Sequence, residues 1–280
     1  MVKTDTLYCR LVKDIYLSGD NVKGRNGSTK RLFAPQPLTF NATPLVTVRK
    51  TAWHKAIREM EWFLSGEGKC PEELQDWWAN QLNPYGEYIE GYGHQFRSFN
   101  GNFDQITNLI DGVLNHPYSR RHVITTWNPP LMGEIGVIND NPDTPTPCHT
   151  SFAQFSVSTE NELSMLSVQR SADVLLGVPH NWVQSWAFLL WLAAQTGYNP
   201  GNLTWVFGDA HIYCQKTHIK VAEEMCYYAV NPVPNIGNEP RLIYGGKAGD
   251  DFKASDFEII GKIPEPLILT TPILVSRSVQ

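Results

Sequence analysis

The most apolar run in this chain of 280 residues is WAFLLWLAA, at positions 186–194. It falls well short of the ~18–20 residues that cross a bilayer, so it is read as a buried helix. A helix that is apolar on every side has to be enclosed by other elements of the fold. Its pattern extends back to Asp173 or Asn181 and forward to Thr196, with Gly197 as its stop. Candidate strands at 152–158 and 163–168 precede it, turning antiparallel at Glu160-Asn161, and another at 203–207 follows.

Elsewhere, apolar spacing predicts helices over 4–18, 52–64, 71–79, 104–114 and 212–225. Strands are predicted over 122–127, more weakly over 134–137, and as two short pieces within 31–49. Residues 24–29, GRNGST, read as a polar loop, and the last 50 residues as proline-rich with short strands. There is no internal repeat, low-complexity tract or clear linker. Strands and helices interleave without a regular βαβ rhythm, so the expectation is one α+β domain over residues 1–280.

Apolar residues make up 42% of the chain and charged residues 18%, enough for a sizeable core. With a net charge of −5 and no basic run, binding to duplex nucleic acid is not expected. Local arginines can still hold a small phosphate. The opening residues, MVKTDTLYCRLVKDIYLSGD, carry no signal-peptide pattern, and no membrane segment is expected. The five scattered cysteines suit reduced thiols in a cytoplasmic setting better than a disulfide framework.

The chemistry-bearing residues cluster in three short segments: Pro147-Cys148-His149, the run from Gln169 to Asp173, and Gly208 to Tyr213. A lone cysteine is most often a small core hydrophobe. Here Arg170 and the pair Arg120-Arg121 stand close enough in the chain to lower a thiol pKa, and guanidinium groups grip phosphate bidentately. Glu59 sits among Trp62 and Phe63 in a helical segment, where apolar surroundings raise a carboxyl pKa toward neutrality. His211, Cys214 and His218 do not share a helical face and have no fourth ligand, so no metal is expected. The second cysteine that a zinc deaminase needs is replaced by Ser151. No phosphate-cradling or dinucleotide glycine motif occurs.

The ordered blocks PCHTSFAQFSV, QRSADVLLGVPHN and GDAHIY resemble thymidylate synthase and its relatives, the pyrimidine deoxynucleotide hydroxymethylases. The likeness runs from about Arg25 to residue 270. It implies a mixed β-sheet flanked by helices, in a homodimer whose sheets pack back to back. It also implies that Cys148 adds to carbon 6 of a pyrimidine deoxynucleoside monophosphate, making carbon 5 a nucleophile toward 5,10-methylenetetrahydrofolate. By the same resemblance Arg25, Arg170 and Ser171 hold the phosphate, and Arg120 and Arg121 reach across from the second subunit. Asn181 pairs with the base; His211 and Tyr213 hold the sugar, with Gln169 among the base- and sugar-site residues. Glu59, Tyr92 and His149 belong to the proton and water network, and Trp78 and Asp173 to the folate site.

Four departures from that pattern bear on the outcome. Leu74 or Gln75 stands where a tryptophan usually precedes the aspartate at position 76. Glu61 adds a carboxylate able to hold a water. His180 replaces the phenylalanine before Asn181, and the chain continues beyond the usual terminus, past Val275. Each makes the site wetter, and water exclusion separates a methyl from a hydroxymethyl product. The hydroxymethyl outcome is therefore favoured slightly, which would suit a bacteriophage that modifies its DNA, over a divergent thymidylate synthase in which Trp77 fills the gap. Asn181 offers both a donor and an acceptor, which favours dUMP over dCMP. A different class remains: a catalytically silent nucleotide- or RNA-binding protein of the same fold.

Overall fold

The computed structural model describes residues 3–24, 26–131, 147–232 and 239–272. Its centre is α6 (Val178–Thr196), in which nearly every side chain is buried. Pro179 fits the first turn, where no amide partner is needed. Gly197 ends the helix at φ 75°, its N–H donating to the Ala193 carbonyl. Trp182 is wholly enclosed, 4.9 Å from the Phe40 ring and 5.8 Å from Tyr8, while Phe188 meets Phe155 edge-on at 5.9 Å.

Around this helix runs a seven-stranded sheet in the order β1 (Asp20–Gly24), β2 (Gly27–Phe33), β7 (Asn199–Tyr213), β6 (Glu162–Asp173), β5 (Phe152–Val157), β4 (Val123–Ile124). The short β3 (Leu38–Phe40) also pairs with β7. β6 and β7 are parallel, joined through α6; the other pairings are antiparallel. This is a mixed sheet flanked by helices, the α+β fold that the sequence predicts. α1 (Lys3–Ser18) packs with α7 (Lys216–Val230), and α2 (Trp53–Ser65) lies against α6 and α4 (Tyr92–Arg97). A two-stranded sheet, β8 (Arg241–Tyr244) with β9 (Phe257–Ile260), adjoins α6.

Several expectations need correction. Within the expected loop at 24–29, Gly24 ends β1 and 27–29 already belong to β2, Gly27 at φ 112° pairing with Gly24. The helix expected from 212 begins only at Lys216, because β7 runs on through His211 and Tyr213. Strand propensity prevails there because those residues pair with β2, Arg31 opposite His211 and Thr29 opposite Tyr213. The expected strand at 122–127 shrinks to two residues, and the helix at 71–79 to a 3-10 turn plus α3 (Gln75–Trp78). α5 (Gln105–Asn115) starts as expected, on Asp104, whose carboxylate accepts from the Ile106 and Thr107 amides. The weak strand at 134–137 lies outside the described residues.

Candidate active site

Cys148 lies in the irregular segment leading into β5, half-buried, its thiol turned toward Tyr92 of α4. The Tyr92 hydroxyl organises this corner. It donates to Cys148 Sγ at 3.5 Å and accepts from the Cys148 and His149 amides at 2.8 and 3.2 Å. Its ring lies between Phe63, centroids 4.4 Å apart, and His149, 4.6 Å apart. Thr150 adopts φ 49°, a left-handed backbone that strains a β-branched residue two positions after the thiol.

Arg170 comes to the same place from β6. Its Nε donates to the Pro147 carbonyl at 2.9 Å, and its guanidinium lies 5.0 Å from the Trp127 ring centroid. Gly208 allows this approach of β7 to β6, since a Cβ there would stand 2.6 Å from the Arg170 carbonyl oxygen. Burial pushes the Cys148 thiol above its usual range, and nearby Glu59 adds to this. The Tyr92 hydrogen bond and the Arg170 charge pull the other way, as does the His149 amide.

Behind the thiol, Glu59 is 7% exposed and held by two donors. Trp78 Nε1 donates to Oε1 at 2.5 Å, and Gln184 Nε2 to Oε2 at 2.8 Å. Burial raises its carboxyl to about 7, against the opposing influence of those two bonds and of Lys55. A carboxyl poised there exchanges protons readily at neutral pH. Burial lowers His149 to about 3, so its ring is neutral and serves as a hydrogen-bonding and stacking group, with Nδ1 3.1 Å from Thr150 Oγ1.

The remaining predicted residues line β6, β7 and the start of α6. Ser171 pairs with Asp209 and Asp173 with His211 across the parallel strands. His211 Nδ1 is 3.0 Å from Asp209 Oδ1, and Arg31 holds the other carboxylate oxygen at 3.0 Å. Tyr213 meets His211 edge-on at 5.3 Å. Asp173 Oδ1 accepts from the Leu175 and Leu176 amides at 3.1 and 3.0 Å, while Oδ2 makes no hydrogen bond among the described residues. Asn181, one turn into α6 and 6% exposed, makes no side-chain hydrogen bond among the described residues. Gln169, buried in the sheet, donates to the Ser171 carbonyl and accepts from Trp205 Nε1.

Arg120 and Arg121 are exposed, and no hydrogen bond or ion pair joins them to this cluster among the described residues. Arg121 instead lines a surface groove of about 910 Å³ with Tyr118 and His122. Arg25 lies outside the described residues, as does the chain beyond 272. Two readings of the departures change. Glu61 is committed to structure: Oε1 pairs with Arg58 at 3.2 Å and Oε2 accepts from the Ala254 amide at 2.8 Å. His180 likewise bridges two elements, its Nδ1 2.8 Å from the Leu176 carbonyl and its Nε2 accepting from the Ala52 amide at 3.2 Å. Trp77 packs against it, centroids 4.8 Å apart.

Two functional groups escape the sequence reading. Trp127, the platform under Arg170, reads only as the end of a strand. Gln184 reads as one letter in an apolar helix, although a glutamine inside WVQSWAFLLWL is itself a signal of a buried polar partner. Among the described residues no group of three or more His, Cys, Asp or Glu is placed to hold a metal ion.

Comparison with known proteins agrees with this geometry. The family model for thymidylate synthase matches residues 6–273. The chain is 32% identical to a bifunctional dihydrofolate reductase-thymidylate synthase of Zea mays over 293 residues, covering 93% of this chain and 53% of that protein. For bifunctional dihydrofolate reductase-thymidylate synthase 1 of Arabidopsis thaliana the identity is 33%, covering 94% and 53%. A thymidylate synthase of Cereibacter sphaeroides is 30% identical, covering 96% of this chain and 98% of its own length. The chain thus spans about half the length of the plant proteins and nearly all of the bacterial one. With a thiol held by a tyrosine hydroxyl beside an arginine and a buried glutamate, and with a family match over almost its whole length, the chain belongs to the thymidylate synthase family.

Proposed function

We propose that the chain transfers a one-carbon unit to carbon 5 of dUMP through a covalent adduct on Cys148. The observation that carries this reading is the corner where Tyr92, Arg170 and Glu59 converge on the thiol. The thiolate adds to carbon 6 of the uracil ring, and the displaced electron pair makes carbon 5 nucleophilic. Arg170 and Ser171 take the phosphate, completed by Arg25 and by Arg120 and Arg121 of a second copy in a homodimer. Phosphate charge beside Arg170 offsets part of its pull on the thiol, so Tyr92 carries the thiolate through the cycle. Asn181 meets the base with one donor and one acceptor, and His211 and Tyr213 take the sugar hydroxyl.

5,10-Methylenetetrahydrofolate supplies the one-carbon unit. Asp173 Oδ2, without a hydrogen bond among the described residues, and the aromatic surface of Trp77 and Trp78 suit a flat ring carrying N–H donors. Glu59, poised near neutrality, relays protons to and from the base, and expulsion of Cys148 restores the ring double bond.

Water, rather than hydride, is our preferred terminator, giving a hydroxymethyl product. Leu74 is buried in the core and Gln75 is exposed, so neither supplies an aromatic screen before Asp76. Trp77 favours the second reading, a methyl product, since it packs beside Asn181 through His180. Incubating the protein with dUMP and the folate, then weighing the nucleotide product, distinguishes them: the hydroxymethyl product carries one more oxygen than dTMP. Only the methyl route yields dihydrofolate and its absorbance. Neither product from dUMP or dCMP would end the proposal and leave a silent nucleotide-binding protein.

A further inference from the structure

Gln184 stands in the middle of α6, fully buried, between the apolar core and Glu59. Its Nε2 donates to Glu59 Oε2 at 2.8 Å, and its Oε1 is buried without a hydrogen-bond partner among the described residues. A stranded carbonyl in the interior is costly and calls for an explanation. The other group bonded to Glu59 is the Trp78 indole, which can only donate. An indole serves the carboxylate but offers nothing to a carboxylic acid O–H. A primary amide serves both, because a half turn about its last side-chain bond exchanges Nε2 with Oε1.

We propose that Gln184 is a positioning residue for Glu59, donating to its carboxylate and, turned over, accepting from its carboxylic acid. The proposal rests on the reading that Glu59 relays protons. The acceptor without a partner is then the half of the amide reserved for the protonated state. Glu59 can gain and lose a proton while the amide keeps one bond to it and leaves one end unmatched in either state, which keeps both states accessible near neutrality. The other groups facing Glu59 do not duplicate this. Lys55, on α2 itself, is a cation paired with Asp76. Tyr88, Cys70 and Cys148 all have their ionisations pushed up by burial, and among the described residues only charge, with no hydrogen bond, links them to Glu59.

The test replaces the amide by a thioether of similar length, Gln184→Met. The Glu59 carboxyl is titrated by carbon-13 NMR in the free protein, with the signal assigned by its loss in Glu59→Gln. The bond to the carboxylate is charge-assisted and the bond from the acid is not, so losing both should still move the midpoint up, by about one pH unit. The pH profile of kcat/KM should shift in step while the affinity for dUMP stays within threefold. An unmoved midpoint in a folded Gln184→Met protein overturns the proposal, and so does a change confined to dUMP affinity. In the unmodified protein the side-chain N–H signals of Gln184 must titrate with the Glu59 midpoint; if they do not, the proposal fails whether or not the variant folds. The NMR titrations need no turnover, so absence of any product from dUMP would sink the assigned reaction without touching this result.

Discussion

Removing a single oxygen, by Tyr92→Phe, tests how the nucleophile is held. The phenyl ring keeps its stack between Phe63 and His149, at 4.4 and 4.6 Å, so packing changes little. What goes is the hub: two amide donors, from Cys148 and His149, lose their shared acceptor, and the thiol loses its donor. An unsatisfied buried amide costs about 1–3 kcal/mol. Two of them, less the relief of no longer burying a hydroxyl, come to about 3 kcal/mol. In a chain of this length that is a fall of roughly 5–10 °C in Tm. The thiol should become harder to ionise, because the Tyr92 bond is the largest influence lowering its pKa. Iodoacetamide alkylation of Cys148, followed across pH by peptide mass mapping, should therefore move to higher pH. Mapping separates Cys148 from the exposed Cys214 and half-buried Cys226. A variant within about 0.5 kcal/mol of the parent in denaturant unfolding, with an unmoved alkylation profile, would refute the reasoning.

Three further outcomes are expected. Cys148→Ala should abolish product formation from dUMP while calorimetry still detects nucleotide binding; residual turnover would remove the covalent step. Asn181→Asp should shift the kcat/KM preference toward dCMP, and an unchanged preference for uracil would overturn the role given to that amide. Burial holds His180 at about 4 and His149 at about 3, both below the usual 6.5. Their neutral rings thus contribute stability that is complete above about pH 6.5 and is lost as pH falls toward those values. Denaturant midpoints measured against pH should show this decline, and His180→Phe should flatten its part between 6.5 and 4; an equally steep decline in that variant would contradict the assignment.

Much of the fold was legible because burial writes a strong period into a sequence. The apolar α6 with its glycine stop, α1, α2 and the β5–β6 hairpin all follow from spacing. What misled was local likeness without tertiary context. Ile212 and Tyr213 fit a helix by spacing, yet strand pairing with β2 claims them. Glu61 looked like a free carboxylate, but Ala254, 193 positions away, supplies the amide that engages it. The site divided similarly. Cys148, Arg170, Glu59 and Tyr92 stood out by residue type and family resemblance. Gln184 and Trp127 did not, because their roles exist only once α2, α6 and β6 are packed together.

The parallel pairing of β6 with β7 also sets the order in which this protein becomes competent. Parallel neighbours cannot be joined by a tight turn, so α6 must be laid down before the two strands meet. A nascent chain halted on the ribosome within α6 would carry the nucleophile and Arg170 but lack His211, Tyr213 and the strand that supports them. The cluster proposed to take the nucleotide is therefore complete only once β7 has been made and paired.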